Sequence, residues 1–223
     1  MQIFLAILIA AALGYLFGSI NSAIITVRLL KHEDVRQFGS GNAGLTNTLR
    51  CFGKGCALLT LIGDLGKGVV AVLLSRLIAN ALTGGTADTY MIGCIAGVFA
   101  ILGHVFPLYH GFKGGKGVLV GVSIFLVLDW RLFCILIGIF AVILLLSKYV
   151  SLASIIATAC CPVVTFILQM WCDGGRYTLS DILIHMALEC FMAALIIGSH
   201  HENIKRLKNG TERKLGEKKE RQA

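Results

Sequence analysis

Charge is what this 223-residue chain lacks: Asp, Glu, Lys and Arg together make up 14% of it, against about a quarter in an ordinary soluble domain. Proline occurs only 2 times, so a Pro-rich disordered chain is excluded. Acidic residues number 12 against 20 basic ones, and no acidic or aromatic-rich soluble module is present, which argues against a nucleic-acid partner. The 8 cysteines include no Cys-x-x-Cys pair, and most fall in apolar runs. They read as small packing residues rather than as a disulfide framework or a metal site. No histidine has an aspartate five residues on, and there is neither an Asp-rich metal box nor a Gly-x-Ser-x-Gly elbow. No metal, cofactor or obligate protein partner is implied.

What the chain has in abundance is apolar sequence, at 57% hydrophobic residues and a mean hydropathy of +0.82. Long apolar runs between short polar stretches predict an all-α polytopic membrane bundle. The runs fall at about 3–29, 56–82, 90–109, 117–130, 132–147, 151–171 and 182–199, giving about seven transmembrane helices with short cytoplasmic loops. The fourth and fifth are short for a hydrocarbon core of about 30 Å. A five-span arrangement with 117–147 as one re-entrant hairpin is the alternative. The repeated Gly-x-x-x-Gly pairs, such as Gly14 with Gly18 and Gly93 with Gly97, fit close helix crossings. Asp64 and Lys67, three apart within the second run, read as a structural ion pair. The chain divides into a membrane domain, 1–207, and a basic tail, 208–223, expected to touch anionic headgroups by charge.

Three polar stretches carry the chemistry. The first is Gly39-Ser40-Gly41-Asn42-Ala43-Gly44-Leu45-Thr46-Asn47-Thr48-Leu49-Arg50. Its G-x-G-x-x-G is no Rossmann fingerprint, because no strand precedes it. It reads as a glycine-rich turn whose amides, hydroxyls and arginine suit a phosphate. The second, His104-Val105-Phe106-Pro107 through Phe112-Lys113-Gly114-Gly115-Lys116-Gly117, resembles a P-loop in composition only, since Gly117 stands where Walker A needs Ser or Thr. It opens a helix, where exposed amides and Lys116 favour an anion. The third, His200 to Leu207, puts His200, Asn203 and Arg206 on one helix face. Ser151 and Ser154 open another helix, Ser151 as its cap.

Taken together, these stretches resemble the bacterial acyl-phosphate:glycerol-3-phosphate acyltransferases of the PlsY type. The likeness lies in Gly39–Arg50, with Leu45 where the family has Ala, in Gly103–Pro107 and Phe112–Val118, in Tyr149–Ser154, and in His200–Leu207 with Gly210 and Glu212. Leu119-Val120 departs from the family's usual Ala-Thr. The resemblance implies an enzyme of the bacterial inner membrane that moves a fatty acyl group from acyl phosphate to glycerol 3-phosphate. It implies that Ser40, Arg50, Lys116, His200 and Asn203 hold glycerol 3-phosphate, with Asn42, Asn47 and Gly115 beside them. Thr46, the Gly114 amide and Ser154 would cup the donor phosphate. Membrane lipids are the remaining partners. The alternative from another class is a transporter of a small anion or phosphate ester.

Lys and Arg set the orientation. Segments 28–55, 110–116, 147–150 and 200–223 hold 5, 2, 1 and 8 of them, whereas the opposite connections hold only Arg131 and Arg176. The positive-inside rule puts the N-terminus outside, and the C-terminus and active site on the cytoplasmic side. A cytoplasm-active reporter fused after Ala223 is therefore expected to work, and a periplasm-active one inserted within Thr83–Thr89. Reversed activities would overturn the orientation.

Overall fold

The computed structural model describes residues 1–216. They form helices α1 (Gln2–Gly18), α2 (Ser22–Lys31), α3 (Leu45–Thr83), α4 (Thr89–Val105), α5 (Val118–Leu128), α6 (Trp130–Ser147), α7 (Val150–Ile167), α8 (Leu179–Gly198) and α9 (His201–Lys208), with no strand among the described residues. Six apolar stretches are long enough to cross a membrane, and α5 is a seventh, shorter one. The expected all-α membrane bundle is what forms. At 18 residues α6 is long enough to cross by itself, which disfavours the re-entrant hairpin.

Helix α4 lies at the centre, packed against α1, α3, α5 and α8, while α6 and α7 form a flank. Small residues make this possible. The places where side chains would start on Gly14 and Gly18 of α1 are filled by the backbone of Ala96 and Ala100 on α4. Gly103 meets the backbone of Tyr15 and Ser19 in the same way. Gly93 and Gly97 take Leu128 and Ile124 of α5 on another face. In lipid, where burial of apolar surface does not drive association, such close backbone approach supplies the contact energy.

Three boundaries differ from the sequence expectation, each for a physical reason. The first apolar run is broken at Ser19–Asn21. There the Asn21 side chain accepts from the Ile24 amide at 3.1 Å and starts α2. Residues 45–55, expected as a turn, are the first turns of α3, which bends at Gly53 with φ +83°. Only glycine adopts that conformation without strain, so a short segment over the site and a long membrane helix join there. Third, the described part of the basic tail does not stand apart. The Leu215 amide donates to the Lys148 carbonyl at 2.7 Å, and Glu212 contacts three side chains of the bundle. The expected boundary at 207/208 thus cuts through packed structure, while Lys218, Lys219 and Arg221 lie outside the described residues.

Gly18→Val places a branched side chain against the Ala100 backbone, and overpacking of this kind costs roughly 1–3 kcal/mol. Its thermal unfolding in detergent is expected well below that of the parent. Gly55→Ala, where a Cβ meets nothing within 4 Å, should be neutral or slightly stabilising.

Candidate active site

All the connections rich in Lys and Arg meet at one end of the bundle, around a cavity of about 540 Å³. Its walls come from the 39–50 segment, Lys116 to Leu119, Phe140, the start of α7, α9 and residues 212–216.

The 35–44 loop is shaped from within by Asn47, which is 2% exposed. Its amide nitrogen donates to the carbonyls of Val35 (3.2 Å) and Phe38 (2.9 Å), and its oxygen accepts from the Ser40 amide (3.0 Å). The amide is engaged by the loop, and Asn47 lines the cavity with its hydrogen bonds already made. Arg36 donates to the carbonyls of His110 (2.7 Å) and Lys113 (3.2 Å), binding this loop to the next. It also chelates Asp34, and those hydrogen bonds hold the carboxyl well below the usual range. Ser40, Thr46 and Arg50 are exposed, Asn42 is half-buried, and all four line the cavity.

The second loop overturns one expectation. The Gly114 amide donates to the Val105 carbonyl and the Gly115 amide to that of His104, both at 3.1 Å. These amides cap the end of α4, and neither glycine lines the cavity. Glycine is needed for close approach: a Cβ on Gly114 would strike the His104 carbonyl, and one on Gly115 the His104 ring and the Ala43 carbonyl.

Lys116, next in the chain, turns inward and donates to Asn203 Oδ1. Asn203 in turn donates to Glu212 Oε1 at 2.6 Å. The same oxygen accepts from Ser151 at 2.6 Å, and Oε2 accepts from Arg206 Nε at 2.7 Å. Ser151 is thus tied to Glu212, and Tyr149, not Ser151, occupies the N-cap of α7. Burial, reinforced by the Arg206 charge, lowers the Lys116 pKa to about 8. His200 is 3% exposed, and burial lowers its pKa to about 4. Its Nδ1 lies 2.7 Å from the Ile196 carbonyl, which only accepts, so the proton sits on Nδ1 and Nε2 keeps a lone pair. Ser154 donates to the Val150 carbonyl at 2.9 Å while bordering the cavity.

The predicted site residues therefore converge, except Gly114 and Gly115. Below them lies a group that the sequence reading left as structural. Lys67 is 3.0 Å from Asp64 Oδ1, as its spacing suggested, but also 2.8 Å from His104 Nδ1. Asp64 and His104 line the same cavity. The intramembrane position of Asp64 and Lys67 was the available signal. Glu212 was visible only as part of the motif likeness.

Among the described residues, Arg50, Lys116, Arg206, Arg213 and Lys214 border the cavity against Asp64 and Glu212, so it is suited to anions. The fold and site together define a multi-pass membrane protein with a one-sided, phosphate-suited cavity. Residues 8–210 match the glycerol-3-phosphate acyltransferase family, and the chain belongs to it. The glycerol-3-phosphate acyltransferase of Clostridioides difficile (strain 630) is 38% identical over 99% of this chain and all of its own length. That of Staphylococcus saprophyticus is 37% identical over 94% of this chain and 98% of its own. Among solved structures, the glycerol 3-phosphate form of PlsY, an integral membrane glycerol 3-phosphate acyltransferase, superimposes with a TM-score of 0.76. It is 31% identical, over 94% of this chain and 96% of that one. Its lysophosphatidic acid form gives 0.74 at 30% identity, over 94% and 95%. Membership of an acyltransferase family sets the transporter alternative aside.

The Glu212 network generates a prediction. Glu212→Ala removes the acceptor that holds Ser151, Asn203 and Arg206 around residues 211–216. Hydrogen exchange of peptides covering 209–216 should be slow in the parent and much faster in the variant. Unchanged exchange would show that the Leu215–Lys148 bond alone secures the segment.

Proposed function

We propose that the protein transfers a fatty acyl group from acyl phosphate to the sn-1 hydroxyl of glycerol 3-phosphate. The products are 1-acylglycerol 3-phosphate and inorganic phosphate, and the cavity opens to the cytoplasm from the bacterial inner membrane. The observation that carries this reading is a single cavity with a cationic side around Lys116 and Arg50 and an apolar side of Leu119, Phe140 and Val150. Such a site suits a soluble phosphate ester meeting an acyl chain that arrives from the bilayer. Family membership and the ligands of the two PlsY structures, glycerol 3-phosphate and lysophosphatidic acid, support the acceptor and the acylated product of this reading.

The glycerol hydroxyl oxygen attacks the acyl carbonyl carbon, the carbonyl–phosphate bond breaks, and phosphate leaves with the electron pair. Phosphate is already a good leaving group, so alignment and charge stabilisation supply most of the acceleration. Arg50 anchors the acceptor phosphate through its guanidinium fork. Lys116, fixed by Asn203, faces the charge that builds on the carbonyl oxygen and the departing phosphate. The hydroxyl proton passes to a phosphate oxygen or to His200 Nε2, whose lone pair is kept free by the Nδ1–Ile196 bond. Ser40, Asn42, Thr46 and Ser154 complete the anion contacts. Direct transfer needs no nucleophile from the chain.

The test is turnover of purified protein with acyl phosphate, acyl-CoA and acyl carrier protein donors. Acyl phosphate should support rapid transfer, and activity only with another donor would overturn the assignment. Lys116→Ala should lower kcat roughly two to three decades, the loss of about 3–4 kcal/mol of transition-state stabilisation, with little change in KM. Arg50→Ala should chiefly raise the glycerol 3-phosphate KM. The pH profile has a determined sign. Lys116 loses its charge as pH rises through about 8, so kcat/KM falls above that value, while protonation of His200 below about 4 sets the acid limb. Lys116→Arg, which stays charged, should move the alkaline limb upward even at reduced activity.

A further inference from the structure

His104 sits beneath the cavity, 3% exposed, and its two ring nitrogens have different surroundings. Nδ1 is 2.8 Å from Lys67 Nζ. That ammonium also lies 2.7 Å from the Ile20 carbonyl, 3.1 Å from the Gly18 carbonyl and 3.0 Å from Asp64 Oδ1. The three protons of the ammonium go to the Gly18 carbonyl, the Ile20 carbonyl and Nδ1, while Asp64 is paired with it by charge, and an ammonium has no lone pair with which to accept. Nδ1 must therefore accept, and the ring proton resides on Nε2. A second proton on the ring would set an N–H against an N–H. Nε2 has no hydrogen-bond partner among the described residues, and it lies beneath Gly115, where a Cβ would collide with it.

We infer that His104 is a further substrate-contacting residue: its Nε2–H, held in that tautomer by Lys67, donates a hydrogen bond to an anionic oxygen in the cavity. A neutral donor in a water-poor site stabilises such an oxygen without giving up a proton, as oxyanion-hole donors do. The oxygen belongs to the acceptor phosphate, to the donor phosphate or to the carbonyl in the transition state. This inference rests on the acyl-transfer reading above.

Two substitutions separate this role from a structural one. The side-chain nitrogen of Gln reaches about as far as Nε2, so His104→Gln keeps a donor into the cavity but withdraws the acceptor from Lys67. The Asn oxygen reaches about as far as Nδ1, so His104→Asn keeps the Lys67 acceptor and removes the donor. If His104 serves the substrate, the Gln variant of the full-length protein retains most activity, and the Asn variant loses about tenfold or more. A rise in one substrate's KM identifies which phosphate is held, and a fall in kcat alone identifies the carbonyl oxygen. An Asn variant as active as the parent, or more active than the Gln variant, overturns the inference. If neither variant folds, the parent protein is labelled with 15N histidine and titrated with inorganic phosphate and with glycerol 3-phosphate. His104 should appear as the Nε2–H tautomer and its Nε2 signal should move with ligand. An Nδ1–H tautomer, or a signal that neither ligand moves, overturns the proposal. Parent protein that transfers no acyl group while its His104 signal responds to phosphate would instead sink the acyl-transfer reading.

Discussion

The Lys67 ammonium is the contact on which the site end of the bundle depends. A charge 6% exposed in the interior of a membrane helix costs several kcal/mol unless its protons find acceptors. Here the three acceptors are the carbonyls of Gly18 and Ile20 at the end of α1 and His104 Nδ1 on α4, and Asp64 on α3 supplies the counter-charge at 3.0 Å. The break at Ser19–Asn21 leaves carbonyls with no helical partner, and in hydrocarbon each would be a heavy penalty. Lys67 offsets that cost and fixes where α1 ends. From there Asn21 caps α2 and donates to the Ala43 carbonyl at 3.3 Å, so the glycine-rich loop takes its position from the same contact.

Two lysines in one protein thus take opposite roles through their degree of satisfaction. Lys67 is surrounded by acceptors and serves as a fixed structural charge. Lys116 donates to Asn203, a neutral amide, and burial first, then the Arg206 charge, brings its pKa down to about 8. In the proposed reaction a phosphate would complete the counter-charge, and most of the binding energy of the lysine would be kept for that ligand. Glu212 is turned toward Ser151, Asn203 and Arg206, so it orders Asn203 while making no direct contact with Lys116.

The spans, the Gly-x-x-x-Gly crossings and the convergence of three polar stretches were legible because each rests on local pattern. Apolar length and small-residue spacing act through backbone geometry that any sequence window contains. What escaped depended on which partner a group finds. Gly114 and Gly115 have the residue type of an anion nest, yet whether their amides face a ligand or the Val105 and His104 carbonyls is decided by the path of the chain. Asn47 looked like a ligand amide until the loop closed around it. The stretch Gly39–Arg50 reads as one glycine-rich turn, but from Leu45 on tertiary packing makes it helix, with Gly53 as the bend. The break in the first span is hidden because Ser19, Asn21 and Ser22 are a small polar interruption in a long apolar window.

The path of the second loop also explains the short α5. After Pro107 the chain turns back along α4, with Gly114 paired to Val105, Gly115 to His104, and Gly117 against Ile101. Side chains on these residues would hold the strand away from the helix, and their absence lets it descend by about one helical turn. Lys116 is thereby delivered alongside the last turn of α4, and α5 starts from there. Its 11 residues then span only about 16 Å, at 1.5 Å per residue. The glycines that resemble a phosphate nest therefore act on the cavity indirectly, by bringing Lys116 close to α4 and leaving room for the His104 ring beside Gly115.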